Sequence, residues 1–513
     1  MTSRALRTLA MTSALVFSTL ATEAQPNISS ALGLPGSPLW DQSCGADRKV
    51  PNGASQLSTC NTATGRCLLR VTIPTDDFPE AVCNDGSPGV FYIRPGVGTD
   101  AAKWIVHTQG GGRCAENEKC QQRWCGQQGA ANYKANKMST DWDADGNIDL
   151  PLYAEADGHF NISPNNNFSD WTHVWAYYCS SDSWMGQAFD VSYPGLNTFS
   201  IHQQGHHILE AMRSMLLKTN PDPLWTTDCG LQVDSLNSAD EVMFTGTSAG
   251  AKGALQHADW FMDGLPAVKK TLVVDGNLDM TDSVLNTNDI WIDEDGDLIG
   301  DTSYYSKRID MSLDSWAGGW HSAVDAFVDE SCRAVYEPMG RLDRCSLMGP
   351  LLTLRYGGVP LVETETFIRL DLEDGVISKP FNKAWSTGEQ LMVGQFGRAT
   401  TPDDFTVLIR ESLEQLYSDP LNSVTGVFGP RCAEHVGLES NVPFGLQTTP
   451  DTVPAWSAVS VSQSAHDAIW DWYTNPLGVF RTLDTGDVGD PTLENHPYYD
   501  EVDQFSAGQN CRY

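Results

Sequence analysis

Short apolar runs alternate with longer amphipathic stretches along most of this chain. Trp104–Gln109, Val174–Cys179, Val242–Gly246, Leu272–Asp275 and Phe367–Leu372 are rich in β-branched or aromatic residues and end near turn-forming positions. That pattern predicts buried strands. Between and after them, Ile208–Leu217, Ala251–Phe261 and Phe405–Leu416 place apolar residues at helical spacing. Strands separated by helices imply a mostly parallel sheet with helices on its faces, an α/β architecture. Residues 25–89 carry many Gly, Pro, Ser and Thr together with four cysteines, and read as a loop-rich, disulfide-held segment. Residues 446–513, rich in Pro, Asp and Trp, read as an extension of long loops packed on the central domain, residues 90–445.

The first 24 residues differ from all of this. Arg4 and Arg7 precede an apolar run from Leu9 to Leu20, and Ala21 and Ala24 follow. This is the order of a secretory signal, and about 12 apolar residues are too few to span a membrane. Secretion agrees with 13 cysteines, most of them expected in disulfides, with at least one left over by the odd count. Asn27, Asn161 and Asn167 open glycosylation sequons. The formal charge of −34 repels phosphate backbones, which excludes nucleic acid as a partner. A monomer with no membrane span is expected.

The chemistry concentrates in two glycine motifs. Gly246-Thr-Ser248-Ala249-Gly250 stands between a predicted strand and a predicted helix. A GxSxG in that setting is a nucleophile elbow, a tight turn that lifts the serine hydroxyl above the sheet. Upstream, Gln109-Gly-Gly-Gly112-Arg113-Cys114 follows a strand and can aim backbone N–H groups at a developing oxyanion. Such a site needs a carboxylate and then a histidine further along the chain. Asp374 and His435 fit that order. Asp275, Asp279 and Asp371 compete for the acid, and His321, His466 and His496 for the base.

These motifs occur in a set. Gly110-Gly-Gly-Arg-Cys114 with Cys120 and Arg123, Lys137-Met-Ser139, Tyr178-Cys179-Ser-Ser-Asp182, Gly246–Gly250 and Gly426–His435 appear in that order. Together they resemble the pectin acetylesterase family, which includes Notum. The resemblance implies an α/β-hydrolase-like fold and a secreted serine carboxylesterase. It further implies Ser248 as nucleophile, Asp374 as acid and His435 as base, with Gly112, Arg113 and Ala249 as backbone oxyanion donors. The substrate it implies is an acylated polysaccharide such as pectin, the alternatives being a lipid or protein ester, or binding alone. No cofactor is required. Three positions depart from the family pattern: Arg113 stands where tryptophan is usual, Ala251 replaces a glycine, and Leu372-Glu-Asp374-Gly replaces an aromatic acidic motif.

Three weaker signals complete the reading. Asp141, Asp143 and Asp145 begin a calcium-loop-like pattern, although Leu152 stands where its last ligand belongs, and Asp293-Glu-Asp295-Gly-Asp297 is a shorter version. A structural calcium is the one metal these suggest. His202, His206 and His207 lack the neighbouring Glu of a zinc helix. Trp142, Trp171, Trp175 and Trp184 read as core aromatics before sugar platforms.

Overall fold

A computed structural model describes residues 59–61, 66–125, 138–140, 158–192, 200–218, 233–378, 390–394, 398–430, 435–439, 464–475 and 480–483. Residues 1–24, Asn27, the Asp141–Asp145 loop, Trp142, His496 and most of 446–513 lie outside these residues.

Among the described residues the largest sheet has ten strands. In chain order they are β1 (Thr59–Asn61), β2 (Arg66–Thr72), β3 (Val90–Arg94), β4 (Lys103–Thr108), β5 (Thr172–Ala176), β6 (Glu241–Thr247), β7 (Lys269–Asp275), β8 (Glu365–Arg369), β9 (Val424–Gly429) and β10 (Phe480–Leu483). Their spatial order is β1-β2-β3-β5-β4-β6-β7-β8-β9-β10. Every neighbouring pair from β5 to β10 is parallel. The pairs from β1 to β5 are antiparallel.

Side chains alternate between the two faces of the parallel strands, as the period of two requires. Val106, Val242, Phe244, Leu272, Val274, Ile368 and Val427 join the larger core. Helices α2 (Gly205–Leu216), α3 (Ala249–Met262) and α5 (Pro402–Ser418) contribute Leu209, Leu255 and Leu413 to it. The intervening residues Ile105, Met243, Val273, Phe367 and Phe428 face the other way, against Ile469 and Trp472 of α6 (Ala465–Thr474). Apolar residues on both faces explain why these strands read as unbroken hydrophobic runs. The remaining helices used below are α1 (Asn117–Cys125) and α4 (Tyr304–Trp316). No helix among the described residues is long and apolar enough to cross a membrane.

Two stretches are more regular than their composition suggests. The segment before residue 90 supplies β2, seven residues paired along β3. The C-terminal stretch supplies α6 and the edge strand β10 rather than loops alone. In both, scattered Gly, Pro and Asp obscure runs of only four to ten residues, whose order comes from pairing with the existing sheet. Disulfides join Cys83 to Cys179, Cys114 to Cys120 and Cys332 to Cys345. Among the described residues no cysteine is free.

Candidate active site

The carboxyl ends of five adjacent strands, β4, β6, β7, β8 and β9, deliver the side chains of one site. Ligands of open α/β sheets bind at this edge, because the loops leaving the strands converge there. β6 passes directly into α3 through Ser248, whose φ of 53° and ψ of −120° no helix or strand would give it. Such a backbone costs of order 1–3 kcal/mol and persists only where its surroundings enforce it. Here the enforcement is steric. A Cβ on Gly250 would lie 2.0 Å from the Thr108 carbonyl oxygen, and one on Gly246 would lie 2.3 Å from the Gly250 carbonyl. Only glycines let the elbow close this tightly against β4. The Ser248 amide also donates to the Asp275 carbonyl at 2.8 Å, and Asn277 Nδ2 donates to the Ser248 carbonyl at 2.9 Å.

The serine hydroxyl meets His435 Nε2 at 2.7 Å. His435 Nδ1 lies 2.8 Å from one oxygen of Asp374 and 3.1 Å from the other. Asp374 does not end a strand: β8 stops at Arg369, and the carboxylate sits in the following turn, accepting from the amides of Val376 and Ile377. Burial alone would lower the His435 pKa, but the Asp374 charge outweighs it and holds the imidazole above its usual 6.5. The three groups form one hydrogen-bonded chain, ordered as a proton acceptor and its orienting carboxylate require.

The Pectinacetylesterase family model matches residues 68–279, which contain both glycine motifs. Over these residues the chain is similar to the pectinacetylesterases. Pectin acetylesterase 11 of Arabidopsis thaliana is 26% identical over 194 residues, 38% of this chain and 41% of that protein. The palmitoleoyl-protein carboxylesterase NOTUM of Drosophila melanogaster is 26% identical over 397 residues, 75% of this chain and 48% of its own length. The first three curated relatives are matched over only 41%, 36% and 29% of their lengths. Among solved structures, the Wnt deacylase Notum from Drosophila superposes with a TM-score of 0.53 at 19% identity, covering 82% of this chain and 96% of that one. The fold is α/β-hydrolase-like, a mostly parallel sheet flanked by helices and tied by disulfides.

Gly112, Arg113 and Ala249 line the same cavity as Ser248 and His435, with a volume of about 610 Å³. The glycine loop is held from several sides. Arg123 of α1 donates to the Gly111 carbonyl at 2.7 Å, and the Tyr178 hydroxyl donates to the Gly112 carbonyl at 2.8 Å. Arg113 forms an isolated antiparallel bridge with Asp182. Ser181, Ser183 and Trp184 all adopt positive φ. Asp182, wholly buried, ties that turn by accepting from the Ser180 hydroxyl and the amides of Trp184 and Gly205. Burial pushes the Asp182 carboxyl up to about 6, against those hydrogen bonds.

The rival acids occupy other posts. Arg369 bridges Asp275 and Asp371, all three fully buried. The second Asp275 oxygen accepts from the amides of Gly437 and Leu438 at 2.7 and 2.8 Å. Asp279 accepts from the Met348 amide. Of the rival bases, His321 lines the cavity with its Nδ1 on Ser315, while His466 accepts from the Asn167 amide far from Ser248. His206 pairs with His257, and His202 accepts from the Asp190 amide. Trp171, Trp175 and Trp184 are buried core residues. Among the described residues the one grouping with metal-ligand spacing is Asp293, Asp295 and Asp297, largely exposed and capped by its own loop amides.

Asn277 and Lys252 are among the cavity residues not singled out from the sequence. Asn277 lies two residues past the end of β7, and Lys252 follows Ser248 by one helical turn. The spacing from the nucleophile gives the signal for Lys252: position i+4 of a helix shares a face with position i.

Proposed function

We propose that this chain is a secreted serine carboxylesterase that removes short acyl groups, acetyl first among them, from a polysaccharide. The observation that carries the reading is the continuous Ser248–His435–Asp374 hydrogen-bonded chain opening on a cavity walled by the glycine loop. Ser248 attacks the ester carbonyl while His435 Nε2 takes its proton, and Asp374 steadies the imidazolium that forms. Backbone N–H groups of Gly112, Arg113 and Ala249 receive the developing oxyanion. His435 then returns the proton to the departing sugar hydroxyl, and a water molecule repeats the cycle to release the acid. The scheme asks for no cofactor.

The names of the relatives point to two substrate classes, acetylated pectin and a palmitoleoylated protein. The lining of the cavity favours the first. Leu278, Met280, Leu285, Met311, Leu347 and Phe405 give it apolar surface, but Arg113, Lys252, Asp279 and Arg308 share the same walls. A long acyl chain would strip water from those charges without replacing it. The paired cysteines and the N-terminal charged, apolar and small-residue order agree with an oxidising, extracellular setting.

The test is hydrolysis of p-nitrophenyl esters from acetate to palmitate by wild type and Ser248→Ala. Turnover confined to the shortest chains and lowered about 10⁴-fold or more by the substitution is expected. A preference for long chains would move the reading to a lipid deacylase. Turnover that survives Ser248→Ala would end the serine mechanism.

A further inference from the structure

Three segments far apart in the chain meet behind the nucleophile, at groups the proton relay does not use. Thr247, the residue before Ser248, is wholly buried, and its hydroxyl donates to Oε1 of Glu439. The same hydroxyl accepts from the Gly110 amide at 3.2 Å. His107 Nε2 lies 3.1 Å from the same glutamate oxygen, and its Nδ1 lies 2.8 Å from the Thr245 hydroxyl. Gly110 opens the glycine loop, Thr247 ends β6 at the elbow, and Glu439 stands four residues beyond His435. Sequence separations of 137 residues from Gly110 to Thr247, and 192 from Thr247 to Glu439, are closed by this one hydroxyl.

The two ends of the chain of hydrogen bonds need different things. A backbone N–H only donates and a carboxylate oxygen only accepts, so the group between them must do both. A hydroxyl does. Donation to a charged acceptor also makes its own oxygen a better acceptor for the Gly110 amide. The fit around it is close: a Cβ on Gly110 would lie 2.6 Å from the Thr247 carbonyl oxygen and 2.9 Å from the Ser248 Cβ. The glycine loop therefore rests directly on the elbow. On the far side, the amides of Gly437 and Leu438 are held by Asp275, which anchors the segment that carries Glu439. We propose that Glu439 and Thr247 are positioning residues, a clip that sets the distance from the glycine loop to Ser248 and ties both to the His435 loop. The clip acts through Gly112 and Arg113, the backbone donors that follow Gly110. A shift of about 1 Å in such donors can cost about 10²-fold in rate. That kinetic consequence rests on the esterase reading above, whereas the clip itself does not.

Hydrogen exchange read by mass spectrometry tests the clip without turnover. Thr247→Val removes the hydroxyl and keeps a similar outline, Thr247→Ser keeps the hydroxyl, and Glu439→Leu removes the acceptor. Exchange in the peptide that contains Gly110 is expected to quicken about tenfold in Thr247→Val and in Glu439→Leu, and to match wild type in Thr247→Ser. The double variant should exchange no faster than either single one, because both break the same chain. On p-nitrophenyl acetate, Thr247→Val and Glu439→Leu should each lose about tenfold in kcat with KM changed less than about twofold, and Thr247→Ser should recover kcat. Because the Glu439 side chain is 22% exposed, Glu439→Leu keeps the test open if Thr247→Val fails to fold. Wild-type exchange at Gly110 in Glu439→Leu overturns the clip. Equal quickening in a peptide from β9 overturns it too, since that marks general loosening. Quickened exchange at Gly110 with wild-type kcat overturns the positioning role. If wild type itself hydrolyses no ester, only the esterase reading falls, and the exchange result still decides the clip.

Discussion

Ser248 and His435 meet at 2.7 Å, but the chain holds them there by unlike means. The serine side is fixed by backbone sterics: strand, strained residue and helix follow one another without a loop, and glycines at 246 and 250 let two backbones touch. The histidine side is a loop held by buried charge. The Asp275 carboxylate receives the amides of Gly437 and Leu438, and Arg369 in turn holds Asp275 and Asp371. Glu439 adds contacts to His107 and to the Thr247 hydroxyl. Close packing responds little to pH or salt, whereas an ion cluster responds to the loss of any single member. The comparison therefore predicts that the two halves will fail differently.

The largest effect is expected from Arg369→Met, which leaves Asp275 and Asp371 buried without their cation. Breaking a buried charge cluster in this way costs about 3–5 kcal/mol. Thermal unfolding of the variant should show a large loss of stability, with activity falling as the His435 loop loses its seat. A melting temperature equal to that of wild type would mean that the cluster does not hold the loop.

Next comes Gly250→Ala. Its Cβ would press on a backbone carbonyl at 2.0 Å, a neighbour that cannot rotate away. Overpacking of this kind costs about 1–3 kcal/mol. Because the shift falls on Ser248, the proposed nucleophile, kcat should drop more than KM rises. A variant with wild-type kcat would show that the elbow tolerates a looser turn.

The smallest effect concerns His435 alone. Its pKa is raised in the folded protein by Asp374, so the fold favours the protonated ring. That contribution to stability is present in full below the unfolded value near 6.5 and is lost as pH rises through the folded value. On the proposed mechanism catalysis follows the opposite direction, since only the neutral ring could accept the serine proton. A profile of kcat/KM against pH should rise through a midpoint above 6.5, and Asp374→Asn should move that midpoint down. A midpoint unmoved by the substitution would assign the titration to another group.

The same contrast explains what could be read before the fold was seen. The elbow was legible because strand, GxSxG and helix are contiguous, so spacing along the chain is spacing in space. The sheet core was legible for a similar reason, with Val242–Gly246 and Leu272–Asp275 falling inside β6 and β7. Asp374 could not be separated from Asp275 and Asp371 by position, since all three follow strands at the same sheet edge. The pairing of Asp275 and Asp371 by Arg369, and the contact of Asp374 with His435, distinguish them, and neither leaves a pattern in a sequence. The place of His321 in the cavity was equally hidden, because its short helix at Trp320–Ala323 is far from α3 in sequence. β10 was missed because four residues at an edge take their order from β9 rather than from their own composition.

The strand order also dictates when the molecule becomes reactive. Ser248 and His435 lie 187 residues apart, and β9, which leads to the histidine, joins a sheet whose central strands come much earlier in the chain. At translation rates of about 5–20 residues per second, the elbow exists for about 10–40 s before its base has been synthesised. On the proposed mechanism, a nascent chain that has passed β7 carries the serine, Asp275 and Asn277 with nothing yet to deprotonate the hydroxyl. On the proposed mechanism, the cell that makes this protein meets no active form until nearly the whole chain has emerged.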